Sequence, residues 1–169
     1  MSNATHVFKL VLEIEQLGKM DKMADIEEVK RIATQVRNAM DTLLAENKIP
    51  QWCTPFQYFP NICCGDMSII LSTHFLNLGF DHPDYICGQH YDDGNINSHA
   101  WIRLNGICID ITADQFSAGQ YDPVIVEYEK DYPLSNVFRP IREETSKYTI
   151  DTDILRKTYS LIQEQLERT

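Results

Sequence analysis

Apolar residues recur every three or four positions from Ile26 to Leu44, where Ile26, Val29, Ile32, Val36, Met40 and Leu43 make one stripe. That spacing predicts an amphipathic helix. Asp25, with Glu28 three positions on, has the form of a capping box, and Glu27, Lys30, Arg31 and Arg37 are expected in water. A second helix is expected from about Gly65 to Leu78, stopping at Gly79. A third is expected from about Asp153 to Glu167, with Leu155, Tyr159, Ile162 and Leu166 on one face. Val7 to Leu17 is apolar at both helical and alternating spacings and is read as a helix closed by Gly18. Short strands are expected at Tyr85 to His90, Ser98 to Leu104, Ile107 to Thr112 and Val124 to Tyr128. Residues 47–62, NKIPQWCTPFQYFPNI, mix prolines and aromatic rings without a period, which predicts an ordered loop anchored by its rings. Helices first, then an antiparallel sheet, then a closing helix define an α+β domain. Residues 1–48 are read as its N-terminal helical part and 49–169 as its core.

The sharpest local pattern is SHAWIRLNGICIDIT, Ser98 to Thr112. Asn105-Gly106 between apolar runs is a two-residue hairpin signal, because both turn residues must take positive φ. With that turn, Leu104 faces Ile107, Ile102 faces Ile109 and Ala100 faces Ile111, giving one continuous apolar face for the core. The opposite face then carries His99, Trp101 and Arg103 on one strand and Cys108, Asp110 and Thr112 on the other. His99 and Asp110 become diagonal neighbours, about 7–8 Å apart at the backbone and within side-chain reach. A slip of one residue would turn the isoleucines to the other face. A lone histidine on such a face is by default a surface residue of a half-solvated sheet. A histidine beside a carboxylate and a tryptophan is a candidate site.

Composition narrows the setting. At 169 residues, with 43% hydrophobic and 24% charged residues, the chain can bury a core as one domain. A net charge of -10 repels phosphate backbones, and no basic patch offsets it, so a nucleic-acid partner is not expected. Lys9, Glu13 and Glu15 interrupt the apolar N-terminus, which therefore lacks a secretory core. No stretch approaches the ~20 apolar residues that span a bilayer, so no membrane partner is expected. Five cysteines, an odd number with Cys63 and Cys64 adjacent, read as free thiols of a reducing compartment. A cytoplasmic location in the producing cell follows, a reading equally compatible with an effector delivered to another cell. Neither CxxC nor HExxH spacing occurs among the cysteines and histidines, so no metal or other cofactor is expected. His90 is placed to approach His99 across the sheet, His74 is expected to be partly buried on its helix, and His6 and His82 are given no role.

The adjacent cysteines lie in NICCGDMSIILSTHFLNLGF, Asn61 to Phe80. Cys64 falls at the start of the second helix, where unpaired N–H groups and the helix dipole favour an anion. A thiol there can ionise below its usual pKa, and the same N–H groups can hold an oxyanion. Cys63 is the runner-up nucleophile, one residue earlier in the cap. Cys53, Cys87 and Cys108 are read as packing residues.

Cys-x-Asp ahead of an apolar helix that closes on Gly79, then His-Ala-Trp, then a hairpin ending in Asp-x-Thr resembles the core of the transglutaminase-like branch of papain-fold cysteine enzymes. The likeness covers roughly Asn61 to Phe116. It implies a papain-like core with Cys64 as nucleophile, His99 as base and Asp110 as its orienting carboxylate; Asp114, which shares the parity of Asp110 if the strand continues, is the reserve third member. It also implies a side-chain oxyanion donor upstream of the nucleophile, for which Gln57 and then Asn61 are the candidates; Trp101 and Gln115 complete the polar and aromatic surroundings. The implied activity is hydrolysis of an amide in a protein or peptide substrate, as a protease or glutamine deamidase. Alternatives are transglutaminase or acyltransferase chemistry, the latter as in arylamine N-acetyltransferases, and a binding module that has lost the chemistry.

Overall fold

A computed structural model describes residues 24–116, 119–145 and 150–168, so the helix expected at Val7 to Leu17 lies outside the described residues. In chain order the elements are α1 (Ile26–Ala45), α2 (Cys64–Asn77), β1 (Asp84–Asp92), β2 (Asn95–Leu104), β3 (Ile107–Asp110), β4 (Ile125–Tyr128), β5 (Arg139–Thr145) and α3 (Asp153–Leu166). The strands form one antiparallel sheet in the order β4-β3-β2-β1-β5. The architecture is α+β. No described helix is long and apolar enough to cross a membrane.

The stripes behave as their spacing requires. Val29, Ile32, Val36, Met40 and Leu43 of α1 join Met67, Ile70, Leu71 and Phe75 of α2 and Leu155, Tyr159 and Ile162 of α3 in one core. That core lies on the sheet face carrying Ile102, Leu104, Ile107 and Ile109, with Ile111 just beyond it. The α1 segment is thus part of the same core as the rest of the chain. Asp25 occupies the N-cap of α1, but its side chain makes no capping bond. At α3 it is Thr152 that caps, accepting the Leu155 N–H at 3.2 Å.

The hairpin register is the one parity dictates: Leu104 pairs with Ile107, Arg103 with Cys108 and Ile102 with Ile109. Asn105 and Gly106 take φ of 50° and 78°. The expectation of a half-solvated second face is corrected, because His99, Trp101, Cys108, Asp110 and Thr112 are all buried. The chain after β4 folds back over this face, and Tyr132, Leu134 and Phe138 build a second small core there with Ile86, Trp101 and Cys108. The fit is tight over Gly88, the partner of His99 in the β1–β2 ladder. A Cβ on Gly88 would lie 2.8 Å from Phe138 Cβ and 3.1 Å from the Trp101 ring.

Two other expectations are corrected. Arg37 is buried at 6% exposure rather than solvated. Its guanidinium donates to both Asp114 oxygens at 2.8 Å, to Asp41 at 2.9 Å, and to the carbonyls of Ile111 and Pro123 at 3.0 and 3.1 Å. The sheet also has a fifth strand, β5, which the sequence pattern does not reveal. Pro140 and a register shift opposite Cys87/Gly88 interrupt its alternation, as happens on edge strands.

Candidate functional site

Three elements converge on one point. Helix α2 begins at Cys64, with Cys63 as its N-cap. The first intrahelical bond is donated by Met67 to the Cys63 carbonyl at 2.8 Å, so the N–H groups of Cys64, Gly65 and Asp66 have no acceptor within the helix. Strand β2 delivers His99 and β3 ends in Asp110. His99 Nε2 and Asp110 Oδ2 are 2.7 Å apart, both side chains sealed from solvent. Cys64 lies close enough to the same imidazole for the ring to act on its thiol. Since Nε2 is engaged by Asp110, Nδ1 is the nitrogen that serves the sulfur.

The backbone N–H groups of Ala100 and Gly65 also lie near enough to the sulfur to favour its anion. The Ala100 donor is available because β3 stops at Asp110, so the position opposite Ala100 is not filled by a ladder partner. Burial pushes the Cys64 thiol up, but the bond to His99, the imidazolium charge and the two N–H groups together hold it below its ordinary value. Burial pushes His99 down, and the Asp110 charge and hydrogen bond, reinforced by Cys64, raise it to about 9. For Asp110 burial acts upward, and the His99 charge with its hydrogen bonds wins, keeping the carboxyl ionised. These shifts act together in favour of a thiolate–imidazolium pair backed by a carboxylate.

Cys63 is a different kind of residue. It is 1% exposed, its sulfur lies 3.7 Å from the Pro60 carbonyl, and burial pushes its thiol to about 12. Of the adjacent cysteines, only Cys64 faces the imidazole.

Asp110 is saturated by hydrogen bonds. Oδ1 accepts the Thr112 N–H at 2.9 Å and the Thr112 hydroxyl at 3.1 Å, and Oδ2 accepts from His99 and from the Tyr132 hydroxyl at 2.8 Å. Tyr132, 1% exposed, escapes sequence reasoning; its only signal is an aromatic residue before proline in a polar run, DYPLSN. Tyr132→Phe leaves Oδ2 to His99 alone and so makes the carboxylate a stronger partner for the imidazolium. The His99 ring titration followed by NMR is expected to move upward from about 9, by about 0.7 of a pH unit for a net bond of roughly 1 kcal/mol. A downward move would contradict this account of the carboxylate.

The remaining candidates divide. Gln115 joins the group: its amide nitrogen donates to the Thr112 carbonyl at 2.8 Å and lies 3.4 Å from His99 Nδ1. Trp101 is not open to a substrate. It is buried, its ring centroid 5.9 Å from that of His99 and 5.1 Å from that of Tyr132, and it forms a wall behind the imidazole. Phe116 and Phe138 close the other sides, with centroids 4.9 and 5.4 Å from His99. Asp114 is excluded as a reserve carboxylate, because β3 has ended and a 3-10 turn hands Asp114 to Arg37. Gln57 is excluded as an oxyanion donor, since its amide N–H groups are committed to the carbonyls of Ile49 and Pro50, each at 3.0 Å. Asn61 is exposed in the turn before Cys63, its backbone N–H tied to the Tyr58 carbonyl at 2.7 Å. His90 does not reach His99: its Nδ1 binds the Val137 carbonyl at 3.1 Å and Phe138 packs against both rings. His74 is half-buried against the Tyr159 hydroxyl at 3.3 Å. Among the described residues, no group of three His, Cys, Asp or Glu side chains is placed to hold a metal ion.

The chain matches no protein-family model, no curated protein and no solved structure. The functional reading therefore stands on this geometry.

Proposed function

We propose that the protein is a cysteine-dependent hydrolase of amide bonds in protein or peptide substrates, built on a papain-like, transglutaminase-like core. The observation that carries this reading is the linear array of Cys64, His99 and Asp110, with Nε2 committed to Asp110 and Nδ1 left for the sulfur. A buried ion pair of this kind is costly to maintain without a use. The Cys64 thiolate attacks the carbonyl carbon of the amide, and the resulting oxyanion is held by N–H groups at the first turn of α2 that have no acceptor within the helix. His99, protonated at Nδ1, gives that proton to the departing amine, and a thioester remains on Cys64. The same nitrogen then takes a proton from water, whose oxygen attacks the thioester; the acid leaves and the thiolate–imidazolium pair is restored. Asp110 holds the ring orientation throughout and stabilises its charged form when it forms. Gln115, whose amide nitrogen lies 3.4 Å from His99 Nδ1, is assigned to substrate positioning.

Trapping with iodoacetamide at pH 6 tests the reading. Wild-type protein is expected to be labelled on Cys64, because that thiol is shifted below its ordinary value and its thiolate is the reactive form. Cys63→Ala is expected to keep the label, since a thiol pushed to about 12 is inert at that pH, and Cys64→Ala to lose it. Loss in Cys63→Ala alone would move the nucleophile, and absence of labelling in the wild type would end the enzyme reading.

A further inference from the structure

The loop between α1 and α2 sorts its apolar side chains in a way that packing does not explain. It buries Cys53, Phe56 and Phe59 in the core, yet leaves Trp52 at 53%, Tyr58 at 59% and Ile62 at 70% exposure. The loop is thus docked, and the exposure of Ile62 is not a consequence of a detached segment. Ile62 also carries a backbone conformation that its side chain opposes, with φ of 57°. Among the described residues, the other non-glycine positions at positive φ are Asn47, Asp93 and Asn105, types whose short polar side chains tolerate that region. A β-branched residue there is a steric outlier, costing of order 1–3 kcal/mol.

Such strain persists when something offsets it. Burial of the side chain does not, because the side chain is largely in solvent. The position itself is informative: Ile62 precedes the reactive cysteine by two residues, within about 7 Å along the chain, in the turn closed by the Asn61-to-Tyr58 backbone bond. Asn or Gly would satisfy the backbone at that place without strain. An isoleucine held out at the entrance to helix α2 is suited to one task, contact with an apolar group of a molecule seated on Cys64.

We propose that Ile62 is a specificity-determining residue that meets an apolar side chain next to the carbonyl attacked by Cys64, so that the preferred acyl group carries an aliphatic or aromatic residue at that place. This rests on the hydrolase reading and adds the substrate class to it. The strained turn holds the contact rigidly, so little entropy is lost on binding.

Chloromethyl ketones of acetyl-leucine and acetyl-glycine separate the two claims, since each alkylates the Cys64 sulfur with loss of chloride. Wild-type protein is expected to react faster with the leucine reagent, by about tenfold for partial burial of one leucine side chain. In Ile62→Gly and Ile62→Asn the ratio of the two rate constants is expected to fall toward one, the loss falling on the leucine reagent. Ile62→Asn is also expected to melt no lower than wild type, because the strain is relieved. A ratio retained in both variants, an absent preference in the wild type, or a clearly lower melting point for Ile62→Asn would overturn the proposal. If neither reagent labels Cys64 in the wild type, the hydrolase reading fails and this inference falls with it.

Discussion

Asp110→Asn is expected to leave the fold intact and slow amide hydrolysis by about four orders of magnitude, by analogy with the orienting carboxylate of serine-type triads. The reason lies in how the carboxylate is bound. Its Oδ1 receives the Thr112 backbone N–H, a group that can only donate, so the asparagine oxygen must take that place. The amide nitrogen then faces His99 and donates to Nε2. The ring is forced into the tautomer with its proton on Nδ1, the nitrogen that has to accept protons from the thiol and from water. With the negative charge gone, burial is opposed by Cys64 alone, and His99 falls from about 9. The thiolate–imidazolium pair then gives way to a neutral thiol and a neutral ring. Iodoacetamide labelling measured against pH reads this directly. The wild-type rate persists well below the ordinary thiol range, whereas the variant needs alkaline pH. Its labelling at pH 6 slows by about tenfold for every pH unit that the thiol's titration moves upward. A variant whose acid-side labelling matches wild type would detach Asp110 from the chemistry.

The second large effect is on stability. Arg37→Met is expected to destabilise the fold by about 3–5 kcal/mol, the usual cost of removing one partner of a buried pair. Asp114 and the carbonyls of Ile111 and Pro123 all lose their donor, and these carbonyls fix the ends of the segment that carries Gln115 and Phe116 to His99. The double variant Arg37→Met/Asp114→Leu is expected to recover part of that loss, because it no longer leaves a partly buried carboxylate unpaired. Chemical denaturation of the three proteins checks both statements, and a double variant as unstable as the single one would refute the pairing argument.

Arg37 also shows where sequence reasoning stops. A lone arginine on an amphipathic helix is normally hydrated, so local pattern puts it in solvent, and its partner lies 77 residues away. Strand parity puts Asp114 beside Asp110, and it fails once the strand gives way to a turn after Asp110. The same parity rule succeeds for His99 and Asp110, since the Asn-Gly turn fixes register and a two-residue alternation admits one solution. The start of α2 is legible for a similar reason: an apolar run bounded by Gly79 leaves Cys64 at its first turn. Tyr132, Leu134 and Phe138 are not legible, because they cover the sheet from a loop without periodicity. Gln57 has the character of a free amide in a polar loop, and only the fold brings two carbonyls to it. Local pattern thus reveals which groups the chain's regular elements display, whereas long-range closure decides which of them stay available.

Strand β3 is only Ile107–Asp110, far shorter than β2 beside it. Had it run on in register, another rung would have consumed the Ala100 amide and closed the gap that Cys64 occupies. The sulfur lies beside that unfilled position at the border of the sheet. On the proposed reading, reactivity depends on where hydrogen bonding between neighbouring strands gives out, so a change that merely lengthened the ribbon is expected to silence the thiol without touching any residue of the array.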